Sequence, residues 1–176
     1  MISDLSPRLM GMITEPQVID VPAQPYVAIS ADATMDTMDT ILPQLLPRVF
    51  GWLGERGFPP AGAPFWKYDL IDMDGILVVE VGVPVAAPVE GDDQVRAGTI
   101  PSGRYAMLRY IGHPSGLIDA TASLRKWADD ENLTWDMKQT PDGEQWAARL
   151  EIYETDPSAE PDMNKWTTQL AFRLAD

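Results

Sequence analysis

The chain has 176 residues, 45% of them hydrophobic, with 27 acidic against 13 basic residues and a net charge of −14. That length suits one domain, or two small halves sharing a core, and such a charge opposes the counterion-displacing contact that nucleic acid requires; an anionic membrane is repelled for the same reason. With no cysteine and a single histidine, His113, the chain lacks the ligands for a disulfide, an iron–sulfur cluster or a His-based metal centre.

Neither a metal nor a cofactor is expected. A Ser–His–Asp triad built on His113 would lack the nucleophile-elbow sequence that usually accompanies one. No apolar run reaches the roughly 18 residues of a membrane span, and the first ten residues, with Asp4 among them, do not read as a secretion leader. Cytoplasmic residence is the expectation.

Residues 1–15 read as a flexible lead-in, and 16–176 as one domain with halves at about 16–87 and 94–176. From Pro16 the pattern turns strand-like, through Val18, Val21 and Tyr26-Val27-Ala28-Ile29. Ile41, Leu42, Leu45, Leu46, Val49, Phe50 and Leu53 follow helical spacing, with Asp39 or Thr40 to cap the start and Gly57 to end it. Pro43 fits a first turn, while Pro47 falls inside the helix and predicts a kink. Two strands follow, Phe65–Ile71 and Ile76–Val85, joined by Asp72-Met73-Asp74-Gly75, and Asp-Gly between apolar runs signals a hairpin.

After a turn-rich connector at Pro88–Asp93 the order begins again. Val95–Ile111 is strand-like, broken at Pro101-Ser102-Gly103. Leu117, Ala120, Thr121, Leu124, Trp127 and Ala128 make a helix that Pro114-Ser115 can open, and Gln145–Tyr153 and Trp166–Leu174 supply the last strands. Val21-Pro22-Ala23-Gln24-Pro25-Tyr26 matches Ile100-Pro101-Ser102-Gly103-Arg104-Tyr105 at an offset of 79 residues. The expected fold is therefore α+β: two strand–helix–strand–strand units related by a pseudo-twofold, an antiparallel sheet with helices on one face, and a ligand cleft between the halves.

Strand parity then sorts the side chains that could carry chemistry. Leu77, Val79, Val81 and Val83 form one apolar face, which leaves Glu80 on the other. Leu150 and Ile152 suit the helix side, so Glu151 and Tyr153 are expected opposite. Trp66 and Tyr68 share one face of their strand, though Phe65, Lys67 and Asp69 would then make a poor core. One sheet face, away from the helices, is thus expected to carry Trp66, Tyr68, Glu80, Glu151 and Tyr153. Aromatic walls around a desolvated carboxylate suit a flat hydrophobic cation, through dispersion and cation–π attraction. The plainer reading of the same residues is a solvated outer face.

Four stretches carry a resemblance: Val49-Phe50-Gly51-Trp52-Leu53, Val79-Glu80-Val81-Gly82-Val83-Pro84, Ile100-Pro101-Ser102-Gly103-Arg104-Tyr105, and Leu150-Glu151-Ile152-Tyr153-Glu154-Thr155-Asp156-Pro157. In this order, over about Pro16 to Leu174, the chain resembles the GyrI-like effector-binding domains, which also form the ligand-sensing half of several multidrug-responsive regulators. The resemblance implies a buried pocket glutamate falling on Glu151, with aromatic walls falling on Trp66, Tyr68 and Tyr153. It also implies an alternative, since some stand-alone members resemble hydrolases of reactive cyclopropane-containing toxins whose pocket carboxylates map onto Glu80 and Glu151.

The leading expectation is a stand-alone sensor or sequestering protein for amphipathic cationic aromatic small molecules, with no direct DNA binding, because no helix-turn-helix precedes the domain. The second is a hydrolase in which Glu151 and Glu80, or Tyr68, act as base and proton donor. The third is an inhibitory protein whose acidic surface blocks a gyrase-like partner. His113 is expected at the start of the second helix, in water, and Trp52 and Trp127 in the core. The parity of Trp135, Trp146 and Trp166 stays open, and the sequence carries no signal of oligomeric state.

Overall fold

A computed structural model describes residues 11–176 of the chain, so most of the lead-in lies outside the described residues. Among the described residues, eleven strands form one antiparallel sheet: β1 (Met12–Ile13), β2 (Gln17–Val21), β3 (Gln24–Ala33), β4 (Phe65–Ile71), β5 (Leu77–Pro84), β6 (Arg96–Ile100), β7 (Gly103–Ile111), β8 (Met137–Thr140), β9 (Gly143–Trp146), β10 (Arg149–Tyr153) and β11 (Thr167–Arg173). The helices are α1 (Met38–Ile41), α2 (Leu45–Arg56) and α3 (Leu117–Asp130). The architecture is the α+β one expected.

The sheet order β7-β11-β10-β4-β5-β3 reads as the same arrangement from either end, with β4 and β10 paired at the centre. The leading strands are exchanged: β2 lies along β7, and β6 lies along β3. Both leading strands, and the starts of the strands that follow them, keep the offset seen in the sequence. The lead-in is not wholly irregular, because Met12 and Ile13 pair with Ile111 and Tyr110 of β7.

Local chemistry explains the helices. α2 buries Leu45, Val49, Trp52 and Leu53, and it ends where Gly57 takes a left-handed φ of 72° and Phe58 N donates to the Leu53 carbonyl. α2 runs unbroken through Pro47. The break lies earlier, in a 3₁₀ turn at Leu42–Gln44 that separates α1 from α2. Pro47 would otherwise strike the carbonyl four residues back; with the helix restarting at Leu45 it sits in a first turn, where its missing N–H costs little. α3 buries Leu117, Ala120, Leu124 and Ala128, and His113 caps the 3₁₀ turn that opens it.

The stretch expected as one strand over 145–153 is two, β9 and β10, and the chain adds β8 to form a hairpin with β9 around Pro141-Asp142. The sheet buries both faces. Toward the helices lie Val79, Val81, Val83, Leu108, Leu170 and Phe172. On the far face Tyr26 and Ile100 from one end and Tyr105 from the other meet Phe65, Ala148 and Leu150 from the centre, an arrangement a curled, twisted sheet allows. Gly82 stands opposite Phe65, whose ring lies 2.7 Å from where a Cβ would be.

Candidate functional site

α2 lies against β3 and β5, and α3 against β7. The central strands β4 and β10 therefore run between the two helices. Register decides what they present there. Trp66 pairs with Val81 and Tyr68 with Val79, so both rings point to the helix side. Glu151 pairs with Trp66, which puts Glu151, Tyr153 and Arg149 on that side as well.

Four expected site residues thus come together, but on the face opposite to the one predicted. The fifth does not join them. Glu80 pairs with Lys67, on the far face. The expectation assumed that only one face of the sheet is buried, so that Leu150 and Ile152 had to face the helices. They belong instead to the far-side cluster. The same register overturns a site that uses Glu80 and Glu151 together, because the sheet separates their carboxylates.

The surface these strands present between the helices is aromatic around one acid. The Trp66 and Tyr153 rings meet edge to face at 5.4 Å. The Tyr153 hydroxyl donates to Glu151 Oε1 at 2.6 Å, and the Tyr68 hydroxyl lies beside the same carboxylate. Burial raises the Glu151 pKa above the usual carboxylate range, against the hydrogen bonds from Tyr153 and Tyr68 and the nearby Arg149 charge. Burial and then the Glu151 charge push both tyrosine hydroxyls well above their ordinary value, so they stay protonated donors. Asp39 on α1, itself exposed, adds a weaker negative charge that acts on Glu151 and both tyrosines.

Glu80 shows the opposite chemistry. It is 3% exposed and accepts from the Tyr26 hydroxyl at 2.9 and 3.1 Å, Lys67 Nζ at 3.2 Å and Arg96 Nε at 3.2 Å. Burial alone would raise its pKa, but its bond with Asp69, the charges of Lys67 and Arg96, and the Tyr26 bond hold it below the ordinary value. Asp69, bridged to Lys67, is pushed up to about 6 by burial and by its bond with Glu80. A groove of about 380 Å³ beside this cluster is lined by Asp69, Leu70, Val78, Arg96, Thr140, Asp142 and Gln145.

Sequence reasoning missed two charged residues that act on Glu151. Arg149 could have been found from its parity with Glu151, two positions along the strand. Asp39 was read as a helix cap, and nothing local signals its second neighbourhood. Trp135 and Trp146 each meet Phe172 edge to face, at 5.8 and 5.6 Å, and meet one another tilted at 5.6 Å. Trp52 is buried, as expected, and its indole donates to Asp92 Oδ2 at 2.8 Å. Among the described residues, no group of three or more His, Cys, Asp or Glu is placed to hold a metal ion, and no helix is long and apolar enough to cross a membrane.

The family model for the GyrI-like small molecule binding domain matches residues 14–174. No curated protein matches the chain. Among solved structures it is similar to EcmrR in a complex with DNA, at a TM-score of 0.73 and 15% identity over 92% of this chain, which spans 57% of the EcmrR chain. The EcmrR C-terminal domain alone gives a TM-score of 0.67 and 14% identity, covering 92% of this chain and 98% of that one. SAV2435 bound to tetraphenylphosphonium matches with a TM-score of 0.60 and 11% identity, over 92% and 94% of the two chains. A hydrolase from Listeria innocua matches with a TM-score of 0.62 and 14% identity, over 92% of each. At such identities the likeness establishes the fold.

Proposed function

The chain belongs to the GyrI-like family of small-molecule-binding domains, and on that footing we propose that it binds amphipathic aromatic cations in the cleft between its two helices. One observation carries this reading: a carboxylate, Glu151, is set among Trp66, Tyr68 and Tyr153 and is hydrogen-bonded by neutral hydroxyls. The rings supply dispersion and cation–π attraction, each contact about 0.5–2 kcal/mol. The carboxylate supplies the charge that a desolvated cation otherwise lacks. The tetraphenylphosphonium held by the similar SAV2435 is a ligand of this chemical kind.

The protein then serves as a cytoplasmic sensor or sequestering agent. Its charge of −14 favours the approach of cations and opposes direct contact with DNA.

Glu151→Gln tests the reading. It keeps the shape and removes the charge, so titration calorimetry should show cationic ligands weakened by about tenfold or more and a neutral analogue within about twofold. Equal losses for both would make Glu151 a mere polar lining. Because burial raises the Glu151 pKa, a bound cation should lower it again and release a proton, seen as a buffer-dependent binding enthalpy near that pKa.

A second reading, hydrolysis, draws on the same raised pKa and on the Listeria innocua hydrolase among the similar structures. Glu151 would act as general base on water, and the Tyr68 or Tyr153 hydroxyl as proton donor. Glu80, on the other side of the sheet, has no part in it. Glu151→Gln that binds a reactive substrate normally and no longer converts it would favour this reading.

A further inference from the structure

The candidate ligand site already has a cation of its own beside it. Arg149 lies on the same face of β10 as Glu151, about 7 Å away along the strand. Its guanidinium carbon sits 4.6 Å from the centroid of Phe172, 5.0 Å from that of Trp146 and 5.9 Å from that of Tyr68. Three rings thus surround it, and Tyr68 is at the same time a wall of the candidate ligand site.

The carboxylate nearest to Arg149 does not neutralise it alone. Glu144 Oε1 stands 3.8 Å from Arg149 Nη1, yet it also accepts from Arg125 Nη1 at 3.4 Å and from Trp146 Nε1 at 3.1 Å, while Oε2 accepts from Arg125 Nη2 at 3.3 Å. One carboxylate is therefore divided between two guanidinium groups, and Glu151 is the other anion whose charge acts on Arg149. Guanidinium suits this place because it is planar, stacks on rings and is more weakly hydrated than an ammonium group. Burial and the Arg125 charge draw the Arg149 pKa down only to about 10, so it stays charged at neutral pH.

We propose that Arg149 sets the charge selectivity of the cleft: this resident guanidinium repels further positive charge, so the site takes cations whose single charge is delocalised or shielded by aromatic groups and rejects dications. The inference rests on the cation-binding reading and deepens it. Glu151 attracts a ligand charge, Arg149 limits it, and the shared Tyr68 ring transmits the competition, since its face serves both the resident cation and the incoming one. At an effective dielectric of about 20, an added charge within roughly 7–10 Å of Arg149 loses about tenfold in affinity after screening, and a second charge loses about as much again.

Three probes of graded charge test this by calorimetry: triphenylphosphine oxide (neutral), tetraphenylphosphonium (one shielded charge) and methyl viologen (two charges). In Arg149→Met, whose apolar side chain still fills the ring-lined site, methyl viologen should gain about a hundredfold, tetraphenylphosphonium about tenfold and the neutral probe less than about twofold. Arg149→Lys loses the ring stacking but keeps a positive charge, so it should keep the preference for one charge over two even where overall affinity changes. Should Arg149→Met fail to melt cooperatively, Arg149→Gln, which removes the charge and keeps a polar group beside Glu144, takes its place.

Equal changes for all three probes in Arg149→Met, or none, overturn the inference. If Glu151→Gln meanwhile weakens tetraphenylphosphonium selectively, the cation-binding reading survives that loss. If Glu151→Gln weakens the neutral and charged probes alike, or no probe binds, the binding reading fails and the inference falls with it.

Discussion

The two faces of the central strands each carry one glutamate, and the two solve the problem of a desolvated carboxylate in opposite ways. Glu80 is met by Lys67, Arg96 and the Tyr26 hydroxyl, and its pKa is held low. Glu151 is met by tyrosine hydroxyls, with Arg149 farther along the strand, and burial lifts its pKa. A carboxylate compensated by its own protein has nothing left to offer a ligand and serves the fold. One that is desolvated and directly hydrogen-bonded by hydroxyls, with no cation in contact, still gains from an external cation. The difference between structure and site thus lies in the partners, not in the residue type.

The largest effect that would break this contrast is on stability. Glu80→Gln leaves Lys67 and Arg96 without their anion and should cost about 3 kcal/mol in chemical denaturation, whereas Glu151→Gln should stay within about 1 kcal/mol of wild type. Comparable losses at the two sites would make both glutamates structural. The tyrosines should divide the same way on a smaller scale. Tyr26→Phe removes a donor to the buried Glu80 and should cost about 1–2 kcal/mol. Tyr153→Phe should cost less, and should instead raise the Glu151 pKa further, read by carboxylate NMR titration.

The pH dependences should differ in sign. The folded-state pKa of Glu80 lies below its unfolded value, so its contribution is present at neutral pH and is lost as pH falls through the lowered value. The folded-state pKa of Glu151 lies above its unfolded value, so the native state holds the proton longer and stability declines as pH rises through that interval. Unfolding curves of Glu151→Gln should lack that decline. Asp69, raised to about 6, behaves like Glu151 although it sits beside Glu80. Relative to wild type, Asp69→Asn should therefore gain stability as pH rises from about 4 to about 7, the smallest of these effects because part of the Lys67 bond is lost with it.

Much of the fold was legible because its signals are local. The alternation Leu77, Val79, Val81, Val83, the Asp74-Gly75 turn and the helical stripes each depend on neighbours within a turn or a strand. The break at Pro43 rather than Pro47 was not legible, since either proline could end a turn and only the continued α2 shows which one did. The missed β8 follows from its residues, Met137, Lys138, Gln139 and Thr140, which carry no apolar alternation and pair only because the 141–142 turn folds them back on β9.

By itself the sequence determined the order of elements, the duplicated leading strands and which side chains alternate within each strand, because a strand's period of two is a property of its own backbone. Which face each set occupies was decided only when β4 met β5 and β10, at Trp66 opposite Val81 and Glu151 opposite Trp66. Both sets on these central strands are buried, so hydrophobicity did not distinguish them. A shift of one residue in register exchanges the faces of a whole strand, and that choice is made by partners distant in the chain. The same choice placed Arg149 beside Glu151 and parted Glu80 from both.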